Sequence, residues 1–319
     1  MTVQTNVIRV INPGFLTTVQ DLGRPRQAHL GISASGAADA LSMRIGNLLV
    51  GNHDATSALE MTLTGGIFEF EVDTLVALTG SDFIPKIGGE SVPLWTSIVV
   101  RAGQTLQMEH TLSGARGYLC VRGGFQCKPF FGSVSTHLLT GIGGIEGRPL
   151  RRGDVLLVPA TGKTTLPPAR RLPTKFVPAT KDRGQLRVTP GPQKGFFSSG
   201  SRSSFFNSTY TVSEYSNRMG LRLVGPSLVR KKNDDMLTEG VSLGAIQVPQ
   251  SGQPIILFVE HQTTGGYPKI ANVISADIHR LGQLRPRDEV HFEEVSFDHA
   301  LEILREQEAT LQSLVTSPA

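Results

Sequence analysis

Hydrophobic and polar residues alternate with a period of two along much of the chain. The alternation is clear at residues 67–72 (IFEFEV) and 155–158 (VLLV), with a further apolar stretch at 75–78 (LVAL). Because successive side chains of a β-strand point to opposite faces, this pattern predicts short strands. Residues 255–259 (IILFV) are apolar throughout, which predicts a strand that is buried on both faces.

Helical periodicity is confined to three segments. Residues 37–49 place their apolar side chains on one face and are followed by Gly51, a residue that favours helix termination. Residues 296–315 carry a longer apolar stripe, and Ser296 is placed to cap its N-terminus. Residues 274–281 predict one short helix. The chain is therefore predicted to be mainly β, with a few short helices and a C-terminal helix.

Four sequence landmarks of the first half recur in the same order in the second half. Segments 9–14 (RVINPG), 42–46 (SMRIG), 60–67 (EMTLTGGI) and 151–155 (RRGDV) recur as 187–191 (RVTPG), 216–220 (SNRMG), 239–246 (EGVSLGAI) and 285–290 (RPRDEV). A repeat of this length predicts two related domains, each a closed β-barrel or a curled sheet. The pairing favours a shared structural role for Glu60 and Glu239. It also favours bracing ion pairs for Arg44 and Arg218, although Arg218 could instead clamp a carboxylate.

The boundary between the two domains is marked by composition. Residues 159–185 contain five prolines among Thr, Lys and Arg and show no periodicity, which is typical of a stiff linker. We therefore predict a first barrel at 1–160, a proline-rich linker at 161–185, a second barrel at 186–295, and a C-terminal helix and tail at 296–319.

Composition narrows the class of protein further. The 319 residues include 35 Gly and 19 Pro, with 39% hydrophobic and 18% charged residues, which excludes a coiled coil and a disordered chain. Two cysteines and histidines without zinc spacing argue against a metal site. The net charge is +4, and the basic clusters lack interleaved aromatic residues, so no nucleic-acid partner is expected. No apolar run reaches 18 residues and the first residues lack signal-peptide features, so we expect a cytoplasmic protein without a membrane partner.

Two polar, glycine-containing segments are candidate sites. One is residues 17–25 (TTVQDLGRP), followed by His29 and Asp39, and the other is residues 260–269 (EHQTTGGYPK). Such loops present backbone N–H groups and rigid donors to an anion or a carbonyl group, although the same residues also build tight structural turns. We favour a functional role for residues 260–269, because a buried strand leads directly into that loop.

Several carboxyl and imidazole side chains are candidate acids or bases. They are Asp21, Asp39, Glu60, Glu239, Glu260, His29 and His261. For each of them taken alone, a hydrogen-bonded structural role is the simpler interpretation.

Four segments resemble a known family. Residues 13–24 (PGFLTTVQDLGR), 36–39 (GAAD), 244–249 (GAIQVP) and 262–268 (QTTGGYP) closely resemble the allophanate hydrolase subunit 2 family. This is also called the biotin-dependent carboxyltransferase family, and it includes the C subunit of 5-oxoprolinase. The resemblance runs from about residue 7 to residue 295, and it implies a pair of cyclophilin-like β-barrels. The chain departs from the family at Glu260 and His261, where relatives usually have Asp-Arg, and at Asn217, where they have Asp.

The resemblance implies three alternative functions. A free chain of this length resembles a subunit of ATP-dependent 5-oxoprolinase, which opens 5-oxoproline to glutamate together with partners that resemble the A and B subunits of that enzyme. The domain in urea carboxylase instead transfers a carboxyl group from carboxybiotin to urea, an amide. Some members are regulators that antagonise a histidine-kinase inhibitor. The sequence contains no biotin-attachment segment of the Ala-Met-Lys-Met type, so no covalently attached cofactor is expected and the oxoprolinase interpretation is favoured.

The resemblance also suggests roles for individual residues. Thr263, Thr264, Gly265 and Gly266 would donate hydrogen bonds to the oxygen of a small amide substrate, or to a phosphate from ATP and Mg²⁺ shared with the partners. Lys269 or Arg24 would offset negative charge, and Asp21 or His261 would position water, so Asp21, His261 and Lys269 are the candidate catalytic residues. The remaining candidate substrate-binding residues are His29, Asp39, Arg218, Gln262 and Tyr267.

Overall fold

The computed structural model describes residues 5–160, 169–179, 182–231 and 236–316. The predicted linker at 161–185 therefore lies partly outside the described residues. The chain divides into two compact units, one formed by residues 1–24, 35–180 and 311–319 and the other by residues 25–34 and 181–310. The contiguous domain bounds predicted from the sequence stay a prediction.

The first unit contains eleven strands among its described residues. They are β1 (Thr5–Asn12), β2 (Leu16–Gln20), β3 (Ala58–Thr62), β4 (Ile67–Phe70), β5 (Thr74–Gly80), β6 (Phe83–Ile87), β7 (Glu90–Ser91), β8 (Ser97–Val100), β9 (Thr105–Thr111), β10 (Arg116–Val121) and β11 (Val155–Pro159). They form a six-stranded sheet in the order β11-β1-β4-β9-β6-β7 and a five-stranded sheet in the order β2-β3-β10-β5-β8. Every strand pair in both sheets is antiparallel.

The core of the first unit lies between these two sheets. Phe68 and Phe70 of the six-stranded sheet pack in one buried cluster with Leu78 and Leu119 of the five-stranded sheet. Strands β5 and β10 are buried on both faces, because helix α1 (Ala40–Leu49) covers the other side of the five-stranded sheet. Their apolar composition follows from this three-layer arrangement.

The second unit is built around a closed barrel. Its strands are β12 (Gln185–Pro190), β13 (Tyr210–Val212), β14 (Gly220–Val224), β15 (Glu239–Gly240), β16 (Ala245–Gln247), β17 (Ile255–Leu257), β18 (Thr264–Gly265), β19 (Lys269–Val273) and β20 (Glu289–Glu294). Seven of them close in the order β12-β19-β16-β17-β14-β13-β20, and β15 pairs with β18 in a separate two-stranded sheet. The barrel closes through a parallel pairing of β12 with β20.

In the part of the chain that the structure describes, three further α-helices follow, the last of them at the C-terminal end. They are α2 (Ser199–Asn207), α3 (Ile278–Gln283) and α4 (Phe297–Thr316). Helix α2 packs against the barrel through Phe205, whose ring stacks on that of Phe292 in β20 with a centroid distance of 4.3 Å. Within the described residues, no helix is both long enough and apolar enough to span a membrane.

The mainly β fold with a few short helices is confirmed, and its second unit is a closed barrel. The predicted helix at 37–49 begins at residue 40, because the Asp39 side chain accepts a hydrogen bond from the Ser42 amide and so caps the helix. The predicted cap of the C-terminal helix is also confirmed, since the His299 amide donates to Ser296 Oγ at 3.1 Å. The short helix predicted at 274–281 is a 3₁₀ turn followed by α3.

Candidate functional site

A cleft of about 550 Å³ opens on the second unit beside the two-stranded sheet. Its polar lining consists of Glu239, Ser242, Thr263, Lys269 and Asn272, and its other lining residues are Ala28, Pro192, Gly240 and Val241. Two of the sequence-predicted site residues, Thr263 and Lys269, are thus brought together with Glu239, for which a structural role had been favoured, and with two polar residues that the prediction had not considered.

Two strands position three of the polar side chains of the cleft. Lys269 and Asn272 both belong to β19, and Glu239 belongs to β15. The pairing of β16 with β19 shifts register, so that Ile246 faces Ala271 while Gln247 faces Lys269. The extra residue in β19 forms a bulge, and bulges redirect neighbouring side chains near functional sites. Lys269 is consequently buried, with 5% of its surface exposed, although it begins a strand.

Glu239 neutralises the charge of Lys269. The Lys269 ammonium forms an ion pair with the Glu239 carboxylate, and the exposed fractions of the two side chains are 6% and 44%. The same carboxylate accepts a hydrogen bond from Gln193 Nε2 at 2.8 Å. The hydrogen bond from Lys269 is the main reason why the pKa of Glu239 lies below its ordinary value. The cleft therefore contains a charged pair whose net charge is zero, surrounded by hydroxyl and amide groups.

His261 and Gln262 lie at the start of the predicted site loop. His261 Nδ1 is 2.6 Å from the Gln262 carbonyl oxygen, so this nitrogen donates and leaves Nε2 as the acceptor of the neutral ring. Burial lowers the pKa of His261 below 6.5, which favours that neutral form. Gln262 Nε2 donates to Gln247 Oε1 at 3.2 Å, so the Gln262 side chain anchors the loop to the barrel strand β16.

The rest of the loop lies along the two-stranded sheet. Thr264 and Gly265 form β18, with Gly265 opposite Glu239, and Thr264 and Tyr267 are exposed. A Cβ at Gly265 would lie 2.5 Å from Gln247 Nε2, so a larger residue there would have to displace the end of the Gln247 side chain. Gly266 is half-buried and faces an opener space. Tyr267 lines a second pocket of about 360 Å³ on the same unit.

Arg218 is held in the interior of the second unit. Its guanidinium forms a buried ion pair with Glu260, and the Glu260 amide donates to the Arg218 carbonyl oxygen at 2.8 Å. Arg44 likewise pairs with Asp54 at 2.8 Å. Both arginines of the repeat thus form the expected bracing ion pairs, and Arg218 is not among the residues that line the cleft.

The other predicted site residues of the first repeat have structural contacts. The Asp21 carboxylate accepts hydrogen bonds from Ser133 Oγ, Ser135 Oγ and the amides of Val134 and Gly23. Arg24, which is 1% exposed, donates to the Ser135 carbonyl oxygen, and Asp39 caps α1. These three residues belong to the first unit, and the cleft belongs to the second. His29 is exposed within a short 3₁₀ helix of the second unit, next to Ala28 in the lining of the cleft.

Glu239 was the main functional candidate that the sequence prediction interpreted as structural. Its repeat counterpart Glu60 is indeed buried, and accepts hydrogen bonds from Tyr118 Oη and the Ala38 amide, each at 2.7 Å. Glu239 has the same place in the repeat, yet it contacts Lys269 at the cleft. Asn272 could not be predicted as a site residue. It lines the cleft with Lys269 because of the bulge in β19, and the spacing of residues in the sequence does not indicate that bulge.

The arrangement suits recognition of a carbonyl or oxyanion. Ser242, Thr263 and Asn272 offer neutral donors, and Lys269 offers a charged one beside them. Across the described residues, no group of three His, Cys, Asp or Glu side chains is close enough to hold a metal ion.

Comparisons with known proteins agree with this architecture. The chain is 38% identical to the C subunit of 5-oxoprolinase from Escherichia coli (strain K12), over 97% of both chains. It is 32% identical to urea amidolyase of Saccharomyces cerevisiae over 98% of this chain, which corresponds to 18% of that protein. The crystal structure of the K. lactis urea amidolyase superposes with a TM-score of 0.91 at 29% identity, covering 97% of this chain and 20% of that one.

The chain spans about a fifth of the urea amidolyase chains and nearly the full length of the 5-oxoprolinase relative. Since the family described as "Carboxyltransferase domain, subdomain A and B" matches residues 30–294, the chain belongs to that carboxyltransferase family.

Proposed function

We propose that this chain is a subunit of an ATP-dependent 5-oxoprolinase and that its cleft binds the lactam. The proposal is supported by 38% identity to the C subunit of the Escherichia coli 5-oxoprolinase along 97% of both chains. The observation that carries it is the cleft itself, in which neutral donors surround the Lys269–Glu239 pair. A small amide with a carbonyl oxygen matches that set of donors.

In this proposal the cleft stabilises negative charge on the lactam oxygen. Ser242, Thr263 and Asn272 donate to the carbonyl oxygen, whose charge increases when the ring amide is attacked. His261 is a better candidate than Asp21 for orienting water, because neutral His261 retains an acceptor nitrogen whereas the Asp21 carboxylate already accepts four hydrogen bonds.

The ATP of this reaction is assigned to a partner subunit. A triphosphate needs several cationic or backbone donors, but the lining of the cleft offers one ammonium that is already paired with Glu239. When bound to the partner, ATP supplies the free energy that activates the lactam carbonyl. The complex would then consist of this chain with A-like and B-like subunits, and it would act in the cytoplasm.

Reconstitution tests this function. The full chain is mixed with its purified A-like and B-like partners, and ATP-dependent release of glutamate from 5-oxoproline is followed. Lys269→Met should reduce turnover at least tenfold, while Lys194→Met, which removes a lysine from an ion pair outside the cleft, should leave it unchanged. Absence of glutamate from a complete, folded complex would contradict the proposal.

Carboxyl transfer is the second candidate function. It is favoured by the superposition on the K. lactis urea amidolyase with a TM-score of 0.91. The same neutral donors would fit the ureido group of biotin or a urea-like acceptor. Carboxybiotin would supply the carboxyl group when bound there, and the residues of the cleft would only orient the acceptor. Turnover that requires bicarbonate and is blocked by avidin would identify this function in place of lactam hydrolysis.

A further inference from the structure

Lys269 and Glu239 differ sharply in their exposure to solvent. The lysine side chain is 6% exposed at the start of a barrel strand, whereas the glutamate side chain is 44% exposed on a strand of two residues. A buried ammonium requires an anionic partner, because removing a charge from water is costly. Within the described residues, Glu239 is the one carboxylate paired with Lys269.

Glu239 is therefore the member of the pair that another anion can replace. Glu239 is held by Lys269 and by Gln193 Nε2, and both bonds can be exchanged for water on its exposed side. Lys269 has no comparable alternative, since only 6% of its side chain is exposed to water. An incoming anion that restores the ion pair would satisfy the ammonium while Glu239 turns to solvent.

We propose that Glu239 occupies the position on Lys269 that a ligand's carboxylate takes, so that Lys269 recognises the carboxylate and Glu239 is an internal competitor. This inference rests on the proposed function for the identity of the ligand, an amide that bears a carboxylate. Ser242, Thr263 and Asn272 line the same cleft and would bind the amide part.

An internal competitor has a definite effect on selectivity. The apparent dissociation constant of the carboxylate-bearing ligand equals the intrinsic constant divided by the fraction of molecules in which Lys269 is not covered by Glu239. A neutral amide cannot replace Glu239, because it offers the ammonium no charge. The cleft consequently accepts an amide with a carboxylate and discriminates against neutral amides such as urea.

Calorimetric titration of the full chain at pH 7 tests this inference with two probes. One probe is 5-oxoproline, and the other is 2-pyrrolidinone, the same ring without a carboxylate. Glu239→Gln should bind 5-oxoproline about tenfold more tightly than the unchanged protein, with 2-pyrrolidinone unaffected. Lys269→Met should lose the binding of 5-oxoproline.

Glu294→Gln is the matched control. Glu294 pairs with Lys194 at 2.7 Å and is 38% exposed, so the same chemical change is made on the same unit outside the cleft. Its affinity for 5-oxoproline should be unchanged. Gln193→Ala is a second variant for the case that Glu239→Gln does not fold. It removes one hydrogen bond to Glu239 without altering any charge, and it should also tighten the binding of 5-oxoproline.

Two results would overturn the inference. One is that Glu239→Gln and Gln193→Ala bind 5-oxoproline no more tightly than the unchanged protein, and the other is that 2-pyrrolidinone gains as much affinity as 5-oxoproline. Failure of the proposed function looks different. In that case the complex releases no glutamate although the carboxylate-dependent pattern of affinities is present.

Discussion

Asp154 and Asp288 occupy equivalent positions in the two repeats and accept the same set of hydrogen bonds. Each takes one from the amide three residues earlier, at 2.7 and 2.8 Å, and a two-pronged contact from an arginine. The arginine for Asp154 is Arg148, at 2.8 and 3.0 Å, and that for Asp288 is Arg183, at 2.8 and 3.1 Å. The two arginines lie 6 and 105 residues before their partners. The repeat thus keeps the geometry of the turn although the arginine comes from different places in the chain.

We expect Asp154→Asn to destabilise the protein and to remove part of its sensitivity to acid. Hydrogen bonds from Arg148 hold the pKa of Asp154 below its ordinary value of 3.8. The unfolded carboxyl therefore takes up a proton at a higher pH than the folded one. The stabilisation is complete above pH 3.8 and is lost as the pH falls through the folded pKa.

Urea unfolding at pH 7 and at pH 3 measures this effect. At pH 7 the free energy of unfolding of Asp154→Asn should fall by about 2 kcal/mol, and the difference should shrink at pH 3. Glu90→Gln, at an exposed strand position, should show neither effect. An equal loss at both pH values would contradict the assignment to this carboxylate.

Gly46 and Gly200 should respond in opposite directions to alanine. Both lie within helices, where alanine is favoured over glycine by about 1 kcal/mol. A Cβ at Gly46 would meet Cys120 Sγ at 2.6 Å and Thr79 Oγ1 at 2.9 Å. The resulting overpacking costs about 2 kcal/mol, so Gly46→Ala should be destabilising overall.

At Gly200 the nearest atom to a new Cβ is Ser198 Oγ at 3.9 Å, so Gly200→Ala should raise the free energy of unfolding. Thermal unfolding of both variants provides the comparison. A stabilised Gly46→Ala would show that α1 can move away from the sheet.

Thr263 and Thr264 form a matched pair for testing the cleft. Thr263 lines the cleft, whereas Thr264 lies next to it on β18 with an exposed side chain and is not part of the lining. Thr263→Val should lower turnover of the reconstituted complex by about 100-fold, because one donor to the developing charge is lost. Thr264→Val should have little effect, and equal losses in the two variants would place the donor elsewhere in the loop.

His261 should titrate below pH 6.5 in the folded protein. Burial disfavours its protonated form and is the larger influence on the pKa, while the hydrogen bond to the Gln262 carbonyl acts in the opposite direction. A titration followed by NMR of the imidazole resonances, with His261→Asn used to assign them, gives the midpoint directly. A midpoint above 6.5 would mean that an anionic group outweighs burial at this position.

The strands and helices could be predicted from the sequence because the patterns that indicate them lie within short segments. Alternation at residues 67–72 predicted β4, and the apolar stripe after Ser296 predicted α4. The duplication followed from segments that recur in order, and it needed no knowledge of contacts. The predicted and observed ends of a helix differ where a side-chain contact sets the end. Asp39 caps α1, so the helix begins at residue 40 and not at residue 37.

The residues of the cleft could be predicted only in part, because the cleft depends on contacts between residues that are distant in the sequence. Lys269 and Thr263 were identified from the composition of one loop. The pairing of Lys269 with Glu239, 30 residues earlier, depends on the bulge in β19 and on the short strand β15. Asp21 and Arg24 were also candidates from the sequence, but their polar groups bond mainly to residues 133–135, more than 100 residues later in the chain.

The parallel pairing of β12 with β20 has a consequence for the synthesis of the protein. The pairing joins Gln185 to His291. Strand β12 therefore cannot pair with β20 until almost the whole second unit has been synthesised. Contacts between such distant residues form late, because a long loop must close before they gain any stability. Until then β12 and β13 each present an unpaired edge. A nascent chain halted before Glu289 should therefore depend on chaperones and aggregate in their absence, whereas the full-length chain, in which β12 pairs with β20, should not.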